Sequence, residues 1–235
     1  MNIETFINSL NEQGISLNEV QLKQFEKYYE LLVEWNEKMN LTSITQKEEV
    51  YLKHFYDSLT LAFNHQLDHQ SICDIGAGAG FPSIPLKIAF PDLTITIVDS
   101  LNKRITFLNH LVNELGLKDV KAIASRAEDY ALNHRESYDI VTARAVARLN
   151  ILDELCLPLV KVGGYFIALK GAKASEEVSE SKNGIEKLGG KIKQRFAFQL
   201  PIVSDERENI YIQKVKSTPK TYPRMYAKIK KNPLK

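Results

Sequence analysis

Apolar side chains recur every third or fourth residue through the first part of the chain, and from residue 71 onward short apolar runs replace that rhythm. Leu22, Phe25, Tyr29, Leu32, Trp35 and Met39 keep the helical step, which predicts an amphipathic helix ending near Asn40. Ser16 and Glu19 stand at capping-box spacing just before it. A single apolar stripe must be covered, so residues 1–64 are expected to form a helical cap packed on the remainder of the chain. The aromatic members of the stripe read as core.

The runs Ser71–Ile75, Thr94–Val98, Val120–Ala124, Tyr138–Ala143 and Tyr165–Leu169 predict buried strands. Between them lie helical stretches. Pro82 can begin one, and Leu101, Ile105, Leu108, Val112 and Leu115 form another that stops at Gly116. Strands alternating with helices predict a parallel sheet with right-handed crossovers. Lys191–Phe198 and Asn209–Val215 come next without a long helix between them, and a closing hairpin would make at least one strand antiparallel. The expected class is therefore α/β, with residues 65–216 as the sheet domain and 217–235 as a tail.

Charge adds an asymmetry to this picture. Residues 1–50 hold nine Glu and four Lys, whereas residues 213–235 hold eight Lys or Arg and no acid. That basic end, carrying Arg224, Lys228 and the interleaved Tyr222 and Tyr226, reads either as a segment meeting phosphates and stacking on bases or as a solvated tail. No apolar run is long enough to span a membrane, and the acidic N-terminus does not read as a signal peptide, so a cytoplasmic protein is expected. Cys73 and Cys156, the only cysteines, lie in apolar contexts and read as buried thiols.

Candidate chemistry begins at Asp74-Ile75-Gly76-Ala77-Gly78-Ala79-Gly80-Phe81, which follows a predicted strand and precedes a predicted helix. Glycines there let the backbone turn tightly and approach a ligand closely. A dinucleotide fingerprint would need its third glycine where this chain has Phe81, so pyrophosphate binding fits poorly, whereas an adenosyl ligand without phosphate needs only the close approach. The second strand ends in Asp99 beside Ser100, where a carboxylate can accept from ribose hydroxyls. After the third strand, Ala127 and Glu128 could read an adenine edge; taken alone, Glu128 reads as a solvated helix start before it reads as a ligand contact. The fourth strand runs into Arg144 between Ala143 and Ala145, at the sheet end where ligands of open α/β sheets bind.

These motifs, in one order along nearly the whole chain, resemble the glucose-inhibited division protein B family. The resemblance runs through Trp35-Asn36 with Asn40-Leu41-Thr42, His54 to Leu59, Asp74 to Pro85, Asp99-Ser100, Lys103-Arg104, Ala127-Glu128, Ala143-Arg144-Ala145, Leu169-Lys170-Gly171 and Tyr222-Pro223-Arg224. It departs at Met225-Tyr226-Ala227, where a glycine- and proline-containing stretch is expected. The resemblance implies a Rossmann-like class I methyltransferase that transfers a methyl group from S-adenosylmethionine to N7 of guanine-527, in the 530 loop of 16S ribosomal RNA. It further implies cofactor contact by Gly76, Phe81, the Asp99 region, Ala127, Glu128 and Arg144; Asp74, Gly78, Gly80 and Ser100 are expected around the cofactor with them, and a monomer is expected. Arg144 is the expected catalytic residue, and Lys103, Arg104, Lys170, Arg224 and Lys228 are expected to meet RNA.

N7 of guanine carries no proton, so its methylation needs alignment more than a general base. The sequence offers no evident catalytic His or Cys motif, no Asp/Asn-Pro-Pro-aromatic motif after the fourth strand, and no metal-ligand spacing. His54 and Asp57, three apart, read by spacing alone as a helix-surface pair; the resemblance implies that they line the cleft between cap and sheet, with no catalytic step assigned. Methyl transfer to another RNA or to a small molecule is the nearest alternative. An RNA-binding module would have no use for the glycine loop and Asp99, and a nicotinamide oxidoreductase is disfavoured by Phe81.

Overall fold

The computed structural model describes residues 1–234, in which seven strands form one sheet of order β3-β2-β1-β4-β5-β7-β6. β1 (Ser71–Ile75), β2 (Thr94–Asp99), β3 (Val120–Ala124), β4 (Tyr138–Arg144) and β5 (Val160–Gly171) are mutually parallel. The chain reverses at β1, where the first crossovers run toward β3 and the later ones toward β5. That switch point opens a crevice above the carboxyl ends of β1 and β4. β6 (Gly190–Gln199) and β7 (Glu206–Lys214) form the expected hairpin, and β7 inserts between β5 and β6, antiparallel to both.

Each strand sends alternate side chains to two separate cores. Ile72, Ile95, Ile97, Ile140, Ile167 and Tyr211 face α5 (Ser83–Ala89), α6 (Asn102–Glu114) and the N-terminal helices. Cys73, Val98, Val141, Phe166, Ala168 and Ile210 face α7 (Ala127–Asn133), α8 (Leu149–Cys156) and α9 (Ala174–Lys187). Both thiols are fully buried, Cys156 on α8 over Cys73 in the sheet, and burial pushes each pKa up.

The cap consists of α1 (Ile3–Glu12), α2 (Glu19–Met39) and a continuous helical run made of α3 (Lys47–Val50), a π-helical turn (Tyr51–Tyr56) and α4 (Asp57–Leu59). Phe6, Phe25, Tyr28, Tyr51 and Phe55 form its aromatic centre, inside the same core as the sheet residues. α2 ends at Asn40 in a left-handed conformation, as the stripe predicts. Its capping box, however, is Asn18 with Gln21 and not Ser16 with Glu19. Ser16 donates instead to Asn11.

The tail folds back onto the body. Its helix α10 (Tyr226–Lys231) buries Ile229 in the second core, and Arg135 donates to the carbonyls of Thr218 and Tyr222. Arg224 wraps Glu154, its Nε and Nη2 reaching the two carboxylate oxygens at 2.9 and 2.7 Å. Glu154 is fully buried, so this bidentate pair clamps the tail to α8. Lys235 lies outside the described residues.

Candidate active site

The glycine loop leaves β1 with Gly76 N–H donating to Val98 O at 2.8 Å, which ties its first residue to β2. Gly78, at φ +61°, donates to Asp99 Oδ2 at 3.2 Å, and a Cβ on it would enter open space. Gly80 is different. At φ +102°, a Cβ there would lie 2.8 Å from both Tyr28 Oη and Ile84 Cγ1. Tyr28 also donates to Ala79 O at 2.6 Å, so the loop rests on the cap.

Above the loop is a cavity of about 510 Å³, within the range of small-ligand sites. Its floor is Ile75 to Ala79 with Phe81, and one wall is Val98, Asp99, Ser100 and Arg104. Asp99 receives three donors: Leu101 N–H on Oδ1 at 3.0 Å, and Gly78 N–H with Arg104 Nη1 on Oδ2. An ionised carboxylate offers about four acceptor sites, so capacity remains for a ligand hydroxyl. The far end holds Ser125, Arg126, Ala127 and Glu128 beyond β3. There Arg126 pairs with Glu128 at 2.8 Å and lies over the Tyr226 ring at 5.3 Å.

Arg144 closes the opposite end, beyond β4. Its Nη1 donates to Asp57 Oδ2 and Lys53 O, both at 3.1 Å, and its Nη2 to His54 Nδ1 at 3.3 Å. The guanidinium also lies 5.0 Å from the Phe81 ring, on which His54 stacks at 4.4 Å. Asp57 meets a second guanidinium, Arg207, at 3.2 Å. Burial and the Arg144 charge push the His54 pKa down to about 3.

Of the residues expected around the cofactor, Gly76, Gly78, Phe81, Asp99, Ser100, Ala127, Glu128 and Arg144 line this one cavity. Asp74 and Gly80 do not. Asp74 is buried under the loop, with Oδ2 accepting from Ser83 N–H at 3.1 Å and Oδ1 without a partner, and burial raises its pKa to about 7. Gly80 faces the core and is there for packing.

The residues expected to meet RNA divide more sharply. Lys170 is no surface cation: its ammonium pairs with Glu177 at 2.6 Å and donates to Ala147 O, with 8% of the side chain exposed. Arg224 is consumed by Glu154, and Arg104 by Asp99 in the cavity wall. Lys103 donates to Met39 O at 3.1 Å yet stays exposed, and Lys228 stands on the solvent side of α10. Among the described residues no group of His, Cys, Asp and Glu is arranged to hold a metal ion, and no helix is long and apolar enough to cross a membrane.

The sequence profile of the family described as rRNA small subunit methyltransferase G matches residues 21–207. The chain is 62% identical over 227 residues to the ribosomal RNA small subunit methyltransferase G of Bacillus cytotoxicus, covering 95% of each protein. This chain belongs to that family. Solved structures share its fold at lower identity: a SAM dependent methyltransferase from Aquifex aeolicus (18% identity, TM-score 0.57, 75% of this chain and 97% of that one) and M. jannaschii TYW2 in complex with AdoMet (15%, TM-score 0.58, 73% and 79%).

Sequence reasoning missed Thr42 as a cavity residue, and it placed Tyr226 in a segment that meets RNA and not at the cavity. Tyr226 lies beyond the span that the methyltransferase G family profile covers, in a segment that reads as charge with interleaved aromatics. Thr42 was visible within a family motif but carried no chemical signal of its own.

Proposed function

We propose that this protein transfers a methyl group from S-adenosylmethionine to N7 of a guanine in 16S ribosomal RNA, guanine-527 of the 530 loop on the family resemblance. One observation carries the reading beyond the family: the Arg144 end of the cavity holds no free base. His54 has its Nδ1 covered by Arg144 and a pKa near 3, and Asp57 is held between two guanidinium groups. Such an end suits a nucleophile that carries no proton to lose.

The residues fit the cofactor. Asp99 has acceptor capacity for ribose hydroxyls, Ala127 and Glu128 flank the place of an adenine, and the open space at Gly78 admits a ligand against the backbone. Bound adenosylmethionine supplies an activated methyl group on a sulfonium. The chain's own part is to align and to exclude water. Arg144, fixed by Asp57 and Lys53, sets the guanine against that end and cannot take up a proton at neutral pH.

The proposed partner is the small ribosomal subunit or its RNA, approached by a cytoplasmic monomer through Lys103, Lys228, Lys230 and Lys231. In this scheme residues 1–64 and 217–235 flank the cofactor domain 65–216. N7-methylguanine makes RNA chemically cleavable, so 16S RNA from cells with and without this protein tests the reading. One cleavage site should vanish in the deleted strain; its persistence would overturn the assignment.

A further inference from the structure

Thr42 sits two residues past the left-handed end of α2, with its backbone N–H donating to Asn36 Oδ1 at 2.8 Å. Its Oγ1 accepts from Ile44 N–H at 3.0 Å and lies 2.9 Å from His54 Nε2. We read the direction of that last bond from the contact on the opposite side of the ring. His54 Nδ1 faces Arg144 Nη2, and a guanidinium can only donate, so Nδ1 is the acceptor and carries no proton. We assign the ring proton to Nε2, which donates to Thr42. The pKa near 3 keeps the ring in this neutral form at working pH.

Both lone pairs of Thr42 Oγ1 are then filled, one by Ile44 and one by His54. Only the hydroxyl hydrogen is left, and among the described residues no acceptor receives it. Thr42 lines the cavity beside His54 and Phe81, at the Arg144 end and away from Glu128. The site thus presents a hydroxyl that can donate and cannot accept.

Guanine and adenine share an N7 acceptor and differ at the neighbouring position 6, a carbonyl oxygen in guanine and an amino group in adenine. We propose that Thr42 is a specificity-determining residue whose hydroxyl donates to O6 of the target guanine and offers the adenine amino group no lone pair. This inference rests on the guanine-N7 assignment.

Small subunits reconstituted with 16S RNA that carries either guanine or 2,6-diaminopurine at the target position test it, because the two bases differ on that edge only at position 6. The wild-type protein should methylate guanine faster in single turnovers by roughly 10- to 100-fold, the range set by leaving a buried polar group unpaired. Thr42→Val should lose about that factor on guanine and change less than about threefold on diaminopurine, so the ratio collapses toward one. Thr42→Ser should restore the ratio, and calorimetry should give unchanged adenosylmethionine affinity in both variants. Equal losses on both bases, or a wild-type protein indifferent to the exchange, would overturn the proposal; the wild-type comparison decides even if Thr42→Val fails to fold. Absence of N7-methylguanine from the wild-type reaction on the guanine substrate would overturn the parent reading instead.

Discussion

Arg144 at the end of β4 and Asp57 at the start of α4 are joined at 3.1 Å, with 13% and 8% of their side chains exposed. The pair links the sheet to the cap at the cavity itself. Arg144→Ala should slow single-turnover methylation by about 100-fold, the scale for loss of one positioned donor, while Asp57→Asn should cost about tenfold. In a double-mutant cycle the two should couple by about 1 kcal/mol or more. Strictly additive effects would mean that Asp57 does not act through Arg144.

The pH profile is set by His54. Its pKa is lowered to about 3, so the ring is neutral throughout the ordinary assay range and no imidazole titrates at the reacting end. With saturating cofactor and RNA, the single-turnover rate should vary by less than about threefold from roughly pH 6.5 to 8.5. A tenfold rise per pH unit would show that a proton must leave, and would move the target from N7 to a protonated nitrogen or an oxygen.

The two loop glycines should fail in different ways. Gly78→Ala places its Cβ in open space and pays mainly the left-handed backbone penalty, about 1–2 kcal/mol. It should fold and lose about tenfold or more in adenosylmethionine affinity by calorimetry, because the ligand must now share that space. Gly80→Ala drives a Cβ onto Tyr28 and Ile84, so it should lower Tm by several degrees. An affinity loss for Gly80→Ala with no loss of Tm would reverse the assignment of the two positions.

Asp74 should make stability depend on pH. Its folded pKa, about 7, lies above the unfolded value near 3.8, so the folded state binds the extra proton between those limits and stability falls as pH rises through them. Asp74→Asn cannot ionise. Urea unfolding at pH 5 and pH 8 should therefore show the variant gaining about 1–3 kcal/mol on the wild-type protein over that interval. A constant difference at the two pH values would mean that Asp74 is ionised in both.

Much of the fold was readable because a buried parallel strand has no polar face to hide it: Ser71–Ile75 ends where its apolar run ends. The cofactor side of the cavity was readable for a related reason, since its residues sit at strand ends and inherit the order of the strands. What escaped depended on distant partners. Lys170 and Arg224 look like surface cations until Glu177 of α9 is packed beside the end of β5 and Glu154 of α8 beside the tail. The capping box slipped by two residues because Asn18 and Gln21 repeat the spacing of Ser16 and Glu19, and nothing local chooses between them. Nor does the sequence mark the π-helical turn that turns His54 and Asp57 toward the same arginine.

The clamp between Arg224 and Glu154 sets a time as well as a place. A nascent chain presents Thr42, the glycine loop and Arg144 well before Tyr226, yet the cavity wall is complete only when α10 docks on α8. At about 5–20 residues per second, the interval separating Arg144 from Tyr226 on the ribosome is on the order of several seconds. During that interval the sheet has its floor and lacks its last wall. The ligand site is therefore finished only after Tyr226 has been made, and a copy stopped short of it lacks that wall.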